Sequence, residues 1–360
     1  MLKKLLTALP AIIIYSHTLR ADAPKYSNEF LSIGLGARAL SMGSAATATA
    51  SDVTAAYWNP ALLATLPQRR NAGLMHAEYF AGIASYDFGG FSYKLDSSTT
   101  LALSLIRFGV DNIMNTTDLV DKDGNFDYGR IAYFSTADYG IYLSLAKKSF
   151  FNRSISVGAN AKIIYRNVGK FANAYGFGFD AGACARIKGF DLGLMLQDIT
   201  TTFNVWTYNA SALEVPSYVL PSGDTITNAV SGTTNEVTLP KIALAAAREF
   251  QFNRDFSLLA ELGLELTADG QRNSLISSKI LNIDPKLGLE GSYRKMVFLR
   301  FGINNIQRIT QFDDKQSLVV QPNMGLGVSL FGFTLDYALT NIGSVGVSSY
   351  SHVFSLSYGF

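Results

Sequence analysis

The sequence TTLALSLIRF at residues 99–108 shows most clearly the pattern from which the fold follows. Leu101, Leu103 and Leu105 fall on one face of an extended strand, while Ala102 and Ser104 fall on the other. Apolar residues at every second position are typical of a strand whose two faces meet different surroundings. The pattern predicts a sheet with one apolar side and one more polar side.

The same alternation recurs from about residue 71 to residue 360. It forms about fourteen segments of roughly 9–14 residues, long enough to cross a bilayer when tilted. A soluble β-sandwich would also alternate, but here the connections alternate in length. Short links fall near Ser97, Phe150, Gly189, Asn253, Lys295 and Gly332, and generally longer ones at 111–135, 167–172, 200–238, 268–284, 305–316 and 341–347. Short turns at one end and long loops at the other are typical of outer-membrane barrels. We therefore predict an all-β fold, an antiparallel transmembrane β-barrel of about 14 strands, with both termini periplasmic.

Composition favours the same fold class. Of the 360 residues, 48% are hydrophobic and only 16% are charged, yet no run approaches the ~20 apolar residues of a transmembrane helix. A closed sheet is the other structure that satisfies its backbone hydrogen bonds in lipid. The net charge of +2 gives no electrostatic reason to expect nucleic-acid binding. The last residue, Phe360, ends an aromatic-rich alternating strand, as is usual for outer-membrane barrels.

The N-terminus has the layout of a secretory signal. Lys3 and Lys4 precede an apolar run that is too short to span a bilayer, and small residues follow at Ala21 and Ala23. Cleavage after either alanine is compatible with the sequence. The single cysteine, Cys184, lies far from this region and allows no internal disulfide. We expect a signal peptide at 1–21, a hatch at 22–66 and a barrel at 67–360, in the bacterial outer membrane.

Residues 27–66 break the strand pattern. GLGARALSMG at 34–43 is small and flexible, and DVTAAYWNPALL at 52–63 predicts a helix followed by a turn at Asn59-Pro60. A compact segment without strands, placed just before a barrel, packs most simply inside it as a mostly helical or irregular hatch. A periplasmic extension is the alternative.

The two runs GARALSMGSA and SDVTAAYWNPALL resemble the N-terminal hatch of the FadL superfamily of outer-membrane barrels. The sequence of these two runs is most similar to that of the PorV/PorQ branch, which is associated with type IX secretion. The residues that carry the resemblance are Gly36, Arg38, Met42, Gly43, Trp58, Asn59 and Pro60. Ser44 and Leu62 depart from it, because glycine is usual at both positions. The resemblance implies a fourteen-stranded barrel with an N-terminal hatch.

Two functions follow from the resemblance. The PorV-like branch implies a non-enzymatic accessory or shuttle of type IX secretion, with a giant barrel translocon and secreted cargo proteins as partners. The alternative is FadL-like transport of long-chain fatty acids or other hydrophobic molecules. Outer-membrane lipid is a partner in either case.

The predicted lumen face carries charges of both signs, among them Lys162, Arg166, Glu261, Glu265, Glu290, Arg294 and Arg300. A site for an acyl chain should be largely apolar. The charges therefore favour an ion-paired plug, or a polar conduit, over an apolar tunnel, and so favour the export role.

The longest connection, 200–238, contains an apolar and aromatic set: Trp206, Tyr208, Leu213, Tyr218 and Leu220. Exposed apolar clusters often mark partner surfaces. We expect this loop either to bind a partner or to fold over its own barrel as a lid.

No residue pattern indicates an enzyme, a cofactor or a metal. His76 and His352 fall on the first and last strands, with no carboxylate partner evident in the sequence. Residues 121–125 look like half of a calcium loop, but Phe126 and Ala132 stand where glycine and glutamate are required. We predict a non-enzymatic protein without a cofactor.

Overall fold

The computed structural model describes residues 27–79, 82–117, 119–120, 124–150, 154–209, 212, 218–219, 225–226, 233–310, 316–340 and 350–360. In this part of the chain, strands form a barrel around an N-terminal hatch. The strands are β1 (Arg70–Tyr79), β2 (Ala84–Lys94), β3 (Thr99–Asn115), β4 (Ala132–Lys147), β5 (Ile155–Val168), β6 (Ala172–Ile187), β7 (Phe190–Gln197), β8 (Thr202–Tyr208), β9 (Tyr218–Val219), β10 (Thr225–Ile226), β11 (Thr233–Thr238), β12 (Lys241–Gln251), β13 (Phe256–Thr267), β14 (Ile276–Ser277), β15 (Asn282–Tyr293), β16 (Val297–Thr310), β17 (Gln316–Leu330), β18 (Phe333–Thr340) and β19 (Ser351–Gly359).

The barrel wall has fourteen antiparallel strands within the described residues. Two of them are each divided by a short break, so that β7 and β8 form one wall strand and β11 and β12 form the next. The barrel closes because β1 pairs with β2 on one side and with β19 on the other, from Asn71↔Gly359 to Glu78↔His352. The predicted fold class is confirmed.

The alternation in residues 99–108 separates the two faces of the wall. Leu101, Leu103 and Leu105 point outward and are about half exposed, while Ser104 and Ile106 face the interior and are buried. Each short link predicted from the sequence lies between two consecutive wall strands. These turns share one end of the barrel with the start of β1 and the end of β19, which we call the short-turn end.

The wall is interrupted where two neighbouring strands break at the same height. Residues 198–201 separate β7 from β8, and Leu239 and Pro240 separate β11 from β12. Pairing stops at Lys241↔Gln197 on one side of the break and resumes at Thr238↔Thr202 on the other. Pro240 has no N–H to donate, and Asp198 and Thr201 both have positive φ, so the ladder cannot continue across this point.

The hatch fills the lumen. It contains a 3-10 helix (Glu29–Ser32), α1 (Ala37–Ser41), α2 (Ala55–Trp58) and a second 3-10 helix (Pro60–Thr65). A third short 3-10 helix, Tyr128–Arg130, belongs to the β3–β4 connection. The main hydrophobic cluster joins hatch residues such as Leu35, Leu40 and Leu63 to inward-facing wall residues such as Ile106 and Ile164. The core of the molecule is therefore the contact between hatch and wall.

None of the helices in the described part of the chain has the length and apolarity needed to cross a bilayer.

The predicted loop 200–238 is wrong in its boundaries. Residues 202–208 form β8 and residues 233–238 form β11, and both strands are part of the wall. The alternation in 202–208 was obscured in the sequence because polar and aromatic residues occupy the inward positions. Trp206 is buried and faces the interior, so it does not lie on a free loop.

Candidate functional site in the plugged lumen

Arg38 of α1 anchors the hatch to the wall through a bidentate ion pair. Its Nε and Nη2 donate to the two carboxylate oxygens of Glu290 on β15, at 2.8 and 3.0 Å. Burial alone disfavours the cation, but the charge and hydrogen bonds of Glu290 outweigh it and raise the pKa of Arg38 above its ordinary value. Such fork-shaped pairs are both strong and directional, so this contact fixes the position of α1.

The pair extends into the wall. Arg300 on β16 donates from Nε to Glu290 at 2.6 Å and from Nη1 to Asp336 on β18 at 2.7 Å. Arg300 is almost completely buried. Two guanidinium groups and two carboxylates therefore form a buried four-residue chain, Arg38–Glu290–Arg300–Asp336, in which each charge has an opposite partner.

Glu261 on β13 holds the next part of the hatch. Its carboxylate accepts a hydrogen bond from the backbone N–H of Ala48, at 2.9 Å, and another from the hydroxyl of Thr49. Arg38 reaches the same loop, because its Nη1 donates to the carbonyl of Thr49 at 2.8 Å. Glu261 is fully buried, and these contacts tie the loop between α1 and α2 to the wall.

Asn59 and Pro60 form the joint between α2 and the second 3-10 helix. The Asn59 side chain donates to the carbonyl of Thr47, at 2.9 Å, and to the carbonyl of Ala183 on β6, at 3.0 Å. Its Oδ1 accepts from Ala61 N–H at 3.2 Å, which caps the helix that Pro60 begins. One amide thus joins two parts of the hatch to the wall.

Trp58 stabilises the fold of the hatch itself. Its indole N–H donates to the carbonyl of Leu35 at 2.8 Å, and its ring packs against Gly34. Gly36, next in the same turn, has φ of 85° and donates its N–H to the sulfur of Met75 on β1 at 3.0 Å. The motif residues thus lie together in one packed unit.

Glycines on the inner wall allow the hatch backbone to approach closely. A Cβ added at Gly158, Gly182, Gly193 or Gly302 would come closer than 3.0 Å to hatch atoms, mostly backbone. Met42 and Gly43 lie against the wall at Gly288 and Gly302, and Gly43 itself has a φ of 62°. Sequence reasoning missed this track. Glycines at inward positions of otherwise regular strands are the signal that could have revealed it.

A second polar cluster lies at the break in the wall. Lys162 on β5 pairs with Asp180, at 2.8 Å, and with Asp198, at 2.5 Å. Asp180 also accepts the backbone N–H of Asp198 at 2.9 Å, and Thr202 donates to Asp198. We call Lys162, Asp180, Asp198 and Thr202 the break cluster. It ties residues 198–202, where the wall strand is divided, to β5 and β6.

Arg166 lies beyond the break cluster, towards the long loops. It pairs with Asp138, at 3.0 Å, and with Glu236, at 3.4 Å, and its guanidinium lies 5.0 Å from the Trp206 ring. Ser27 of the hatch donates to Glu236 at 3.1 Å. Arg166 therefore contacts Trp206 directly and is linked to the start of the hatch through Glu236.

The predicted charge network divides into separate pairs. Glu265 pairs with Lys286 on the neighbouring wall strand at 2.6 Å. Arg294 is a correction: it lies on the turn after β15 with positive φ and pairs with Asp255 at 2.8 Å, exposed at the short-turn end. The alternation that put it in the lumen ends at Tyr293, one residue earlier.

The predicted partner residues do not form one surface in the described chain. Tyr208 stacks on Trp206 at the end of β8. Tyr218 belongs to a two-residue hairpin with β10, while Leu213 and Leu220 lie outside the described residues.

The other sequence predictions have mixed outcomes. His76 does have a carboxylate partner, since its Nδ1 lies 2.7 Å from Asp87 on the next strand, on the outer face. Pairing across strands placed the two together, which the sequence alone did not indicate.

Most of the half calcium loop, residues 121–123, lies outside the described residues. Among the residues that the structure describes, no group of three His, Cys, Asp or Glu side chains is arranged to hold a metal.

The space left inside the barrel is small. Between hatch and wall, one gap of about 10 Å³ lies beside Arg38 and Asp336, and one of about 20 Å³ lies beside Lys162 and Lys241. Larger depressions, of about 560 and 380 Å³, lie on the outer wall among lipid-facing leucines. Each of these two gaps between hatch and wall is far smaller than an ordinary ligand site.

Several solved structures with related folds match this chain over most of its length. The Pseudomonas putida toluene transporter TodX matches with a TM-score of 0.55 and 13% identity, over 91% of this chain and 99% of that chain. The CymD monoaromatic hydrocarbon channel matches with 0.53 and 12%, over 91% and 98%. A Pseudomonas aeruginosa FadL homologue matches with 0.50 and 15%, over 90% and 98%.

No family model matches the sequence, and no curated protein matches it. At such low identities the structural likeness establishes the fold. The chain is a closed, 14-stranded antiparallel β-barrel, and the solved structures that it resembles are named as a toluene transporter, a monoaromatic hydrocarbon channel and a FadL homologue.

Proposed function

We propose that this protein transports a hydrophobic small molecule across the outer membrane, with the short-turn end and both termini in the periplasm. The observation that carries the proposal is the fold shared with the toluene transporter TodX and the FadL homologue over at least 90% of the chain. This reverses the preference drawn from the charged lumen, because Glu261 and Glu290 bind the hatch, Arg300 binds Glu290, and the other predicted charges are paired within the wall or at its turns.

The route requires the hatch to move. The interior gaps of about 10 and 20 Å³ are far smaller than the several hundred Å³ of an ordinary ligand site. The polar contacts that position the hatch can be exchanged for water or for each other, and its apolar contacts with the wall are not directional, whereas the wall strands are joined by backbone ladders. A shift of the hatch therefore opens the lumen without unfolding the wall.

The break is the preferred exit for an apolar solute. It lies beside residues 27–33 of the hatch, since Lys241 donates to Ser32 at 2.8 Å and Asn28 donates to Thr238 at 2.9 Å. A solute that leaves there enters the bilayer sideways and avoids the polar long-loop end. Outward-facing Phe179 and Leu244 border this part of the wall with apolar surface.

A reversible cross-link between hatch and wall tests the proposal. A Cβ at Gly90 would lie 3.0 Å from Val53 Cγ2, so Val53→Cys with Gly90→Cys brings two thiols within disulfide range. In a Cys184→Ala parent, we expect oxidation to lower uptake of radiolabelled toluene or oleic acid at least tenfold, and reduction to restore it. The two single-cysteine variants are the matched controls.

Two results would contradict the proposal. If the parent raises uptake of neither probe above that of cells without the barrel, transport of these hydrophobic molecules is wrong. If the oxidised double variant takes up a probe as fast as the reduced one, passage does not depend on the hatch.

A role as an accessory of type IX protein secretion is the second candidate. It is favoured by the hatch motif from Gly36 to Pro60 and by the small size, about 10 and 20 Å³, of the two gaps beside the hatch. Affinity purification of the tagged barrel from solubilised outer membranes tests it. Recovery of a giant barrel translocon, or of secreted proteins sharing a C-terminal domain, would favour export; the barrel alone with bound lipid would favour transport.

A further inference from the structure

The short-turn end carries an excess of positive charge. Its turns and adjoining strand ends contain eleven cationic side chains and four carboxylates in the described residues, a net side-chain charge of +7. The cations are Arg69, Arg70, Lys94, Lys147, Lys148, Arg186, Lys188, Arg248, Arg254, Arg294 and Lys295, and the carboxylates are Asp96, Asp191, Glu249 and Asp255. We call this set the basic rim. The whole chain has a net charge of only +2, so the charge is unevenly distributed.

Most of the rim cations have no carboxylate partner. Three ion pairs use three of the carboxylates: Arg186–Asp191, Arg294–Asp255 and Lys295–Glu249. The fourth carboxylate, Asp96, accepts hydrogen bonds from Ser98 and Thr99 in its own turn, which lower its pKa to about 2. Lys94 donates to the carbonyls of Leu66 and Pro67. Within the described chain, the other seven cations form no ion pair.

The rim lies at the edge of the lipid-facing belt. On β4, Leu143 and Leu145 point outward and are each 51% exposed, and Lys147 follows on the same face. On β7, outward-facing Leu192 lies two residues from Phe190, whose ring contacts the Arg248 guanidinium at 5.0 Å. Two residues along a strand span about 7 Å. The cations therefore lie about 7 Å beyond the last outward-facing leucines, at the height of the lipid headgroups.

Exposed aromatic rings alternate with the cations. The Arg69 and Arg70 guanidinium groups lie 5.2 and 5.9 Å from the Tyr93 ring, and Arg70 also contacts Phe360. Phe252 and Phe331, at the tips of short turns, are 70% and 95% exposed. Aromatic rings prefer the boundary between lipid tails and water, which indicates that this rim contacts a bilayer surface.

We propose that the basic rim binds the headgroups of anionic phospholipids in the leaflet at the short-turn end. Lysine and arginine at a membrane surface attract anionic lipid, and the attraction acts over about a Debye length of 8–10 Å. The cations are spread over turns around the barrel, from β2–β3 to β15–β16, as expected for a ring of surrounding lipids. An acidic protein partner would need one continuous patch facing water instead.

Lipid selectivity of the full-length barrel tests the inference. The protein is reconstituted with spin-labelled phosphatidylglycerol or phosphatidylcholine, and electron paramagnetic resonance gives the relative association of each lipid with the protein. We expect phosphatidylglycerol to be preferred, and the preference to fall in 0.5 M salt. Each charge that touches a headgroup should contribute on the order of a fivefold change.

Matched variants locate the effect. Lys147→Gln, Lys148→Gln, Lys188→Gln and Arg254→Gln together should remove most of the preference. Lys170→Gln with Lys279→Gln, exposed cations at the long-loop end, should leave it unchanged. Heat-modifiable migration on gels checks that each variant is folded.

Three results would overturn the inference. They are equal association of the two lipids with the unmodified protein, a preference unaffected by salt, or the same loss in the control variant as in the rim variant. Salt-sensitive binding of an acidic protein, without any lipid preference, would likewise assign the rim to a protein partner.

Discussion

At the scale of single residues, the hatch is positioned by a few buried charged groups. Arg38 and Arg300 share Glu290, and Arg300 also contacts Asp336, so the four charges depend on one another. Removing one member of such a set leaves a buried charge without compensation, which costs about 3–5 kcal/mol. The arrangement therefore acts as a specific latch between α1 and the wall, because it is satisfied only in one position of the hatch.

Glu290→Gln should loosen the hatch, because two buried guanidinium groups would then face a neutral amide. We expect frequent ion-conducting openings in planar bilayers and a lower midpoint of heat-modifiable unfolding. Glu265→Gln is the matched control, since it removes a carboxylate from a pair between two wall strands. Equal conductance in the two variants would show that the Arg38–Glu290 contact does not hold the plug.

Gly302→Ala should displace the hatch without disturbing the ladder. The added methyl group would overlap the backbone of Met42 and Gly43, and overpacking of this kind typically costs about 1–3 kcal/mol. Gly263→Ala is the control, because that inward glycine has ordinary contact distances of 3.5 Å or more to its neighbours. Conductance measurements should show ion-conducting openings in Gly302→Ala only. A Gly302→Ala barrel without such openings would contradict the close approach of the hatch backbone to Gly302.

At the scale of secondary-structure elements, the two aligned breaks distinguish one sector of the wall from the rest. Most neighbouring strands are joined by uninterrupted ladders. Between β4 and β5, for example, the ladder runs from the pair Thr136↔Val168 to the pair Lys147↔Val157. Between β7/β8 and β11/β12 the ladder stops and restarts, and side chains of the break cluster tie residues 198–202 to β5 and β6. A wall held by side chains opens more readily than one held by a continuous ladder.

Lys162→Met should open this sector. It leaves Asp180 and Asp198 buried side by side without their cation, so the two carboxylates repel. We expect hydrogen exchange, followed by mass spectrometry, to rise at least tenfold in peptides that cover residues 198–201. Lys286→Met removes a cation from the Glu265 pair elsewhere in the wall and should leave those peptides unchanged. Unaltered exchange in Lys162→Met would refute the role of the break cluster.

At the scale of the whole molecule, wall and hatch make separate contributions. The wall closes through its own pairing of β1 with β19, while the hatch supplies much of the buried apolar core. Apolar side chains on the outer wall are exposed in the isolated chain and need lipid to be covered. We therefore expect the barrel to need a membrane or detergent for its stability, and the hatch to keep the lumen closed.

Deletion of residues 27–66 should leave a barrel that inserts and conducts ions continuously. The backbone ladder does not include those residues, and the freed lumen would be lined by Glu261, Glu290 and Arg300, which water can solvate. Heat-modifiable migration should persist with a lower midpoint, and the conductance should lack the closed state of the full chain. Failure of the deletion variant to insert would show that the hatch is needed to form the wall.

Much of the architecture was predictable because strand alternation is local. The fold class, the strand number and the short turns follow from residues two positions apart, and they hold. The exceptions are local too. Polar residues face inward in β8, so its sequence resembled that of a loop. Arg294 was assigned to the lumen by extending the alternation one residue past the end of β15. Signals of this kind fail where a strand breaks or ends.

The sequence by itself determined the barrel, the hatch segment and the charged character of the lumen. The reason is that the two-residue period of the strands, and its interruption in the hatch, can be recognised from neighbouring residues. Only the tertiary structure decided which charges meet. Glu290 lies 252 positions from Arg38, and Asp198 lies 36 from Lys162, so their pairing depends on strand register and closure. The track of inward glycines, the aligned breaks and the basic rim likewise exist only once distant strands lie side by side.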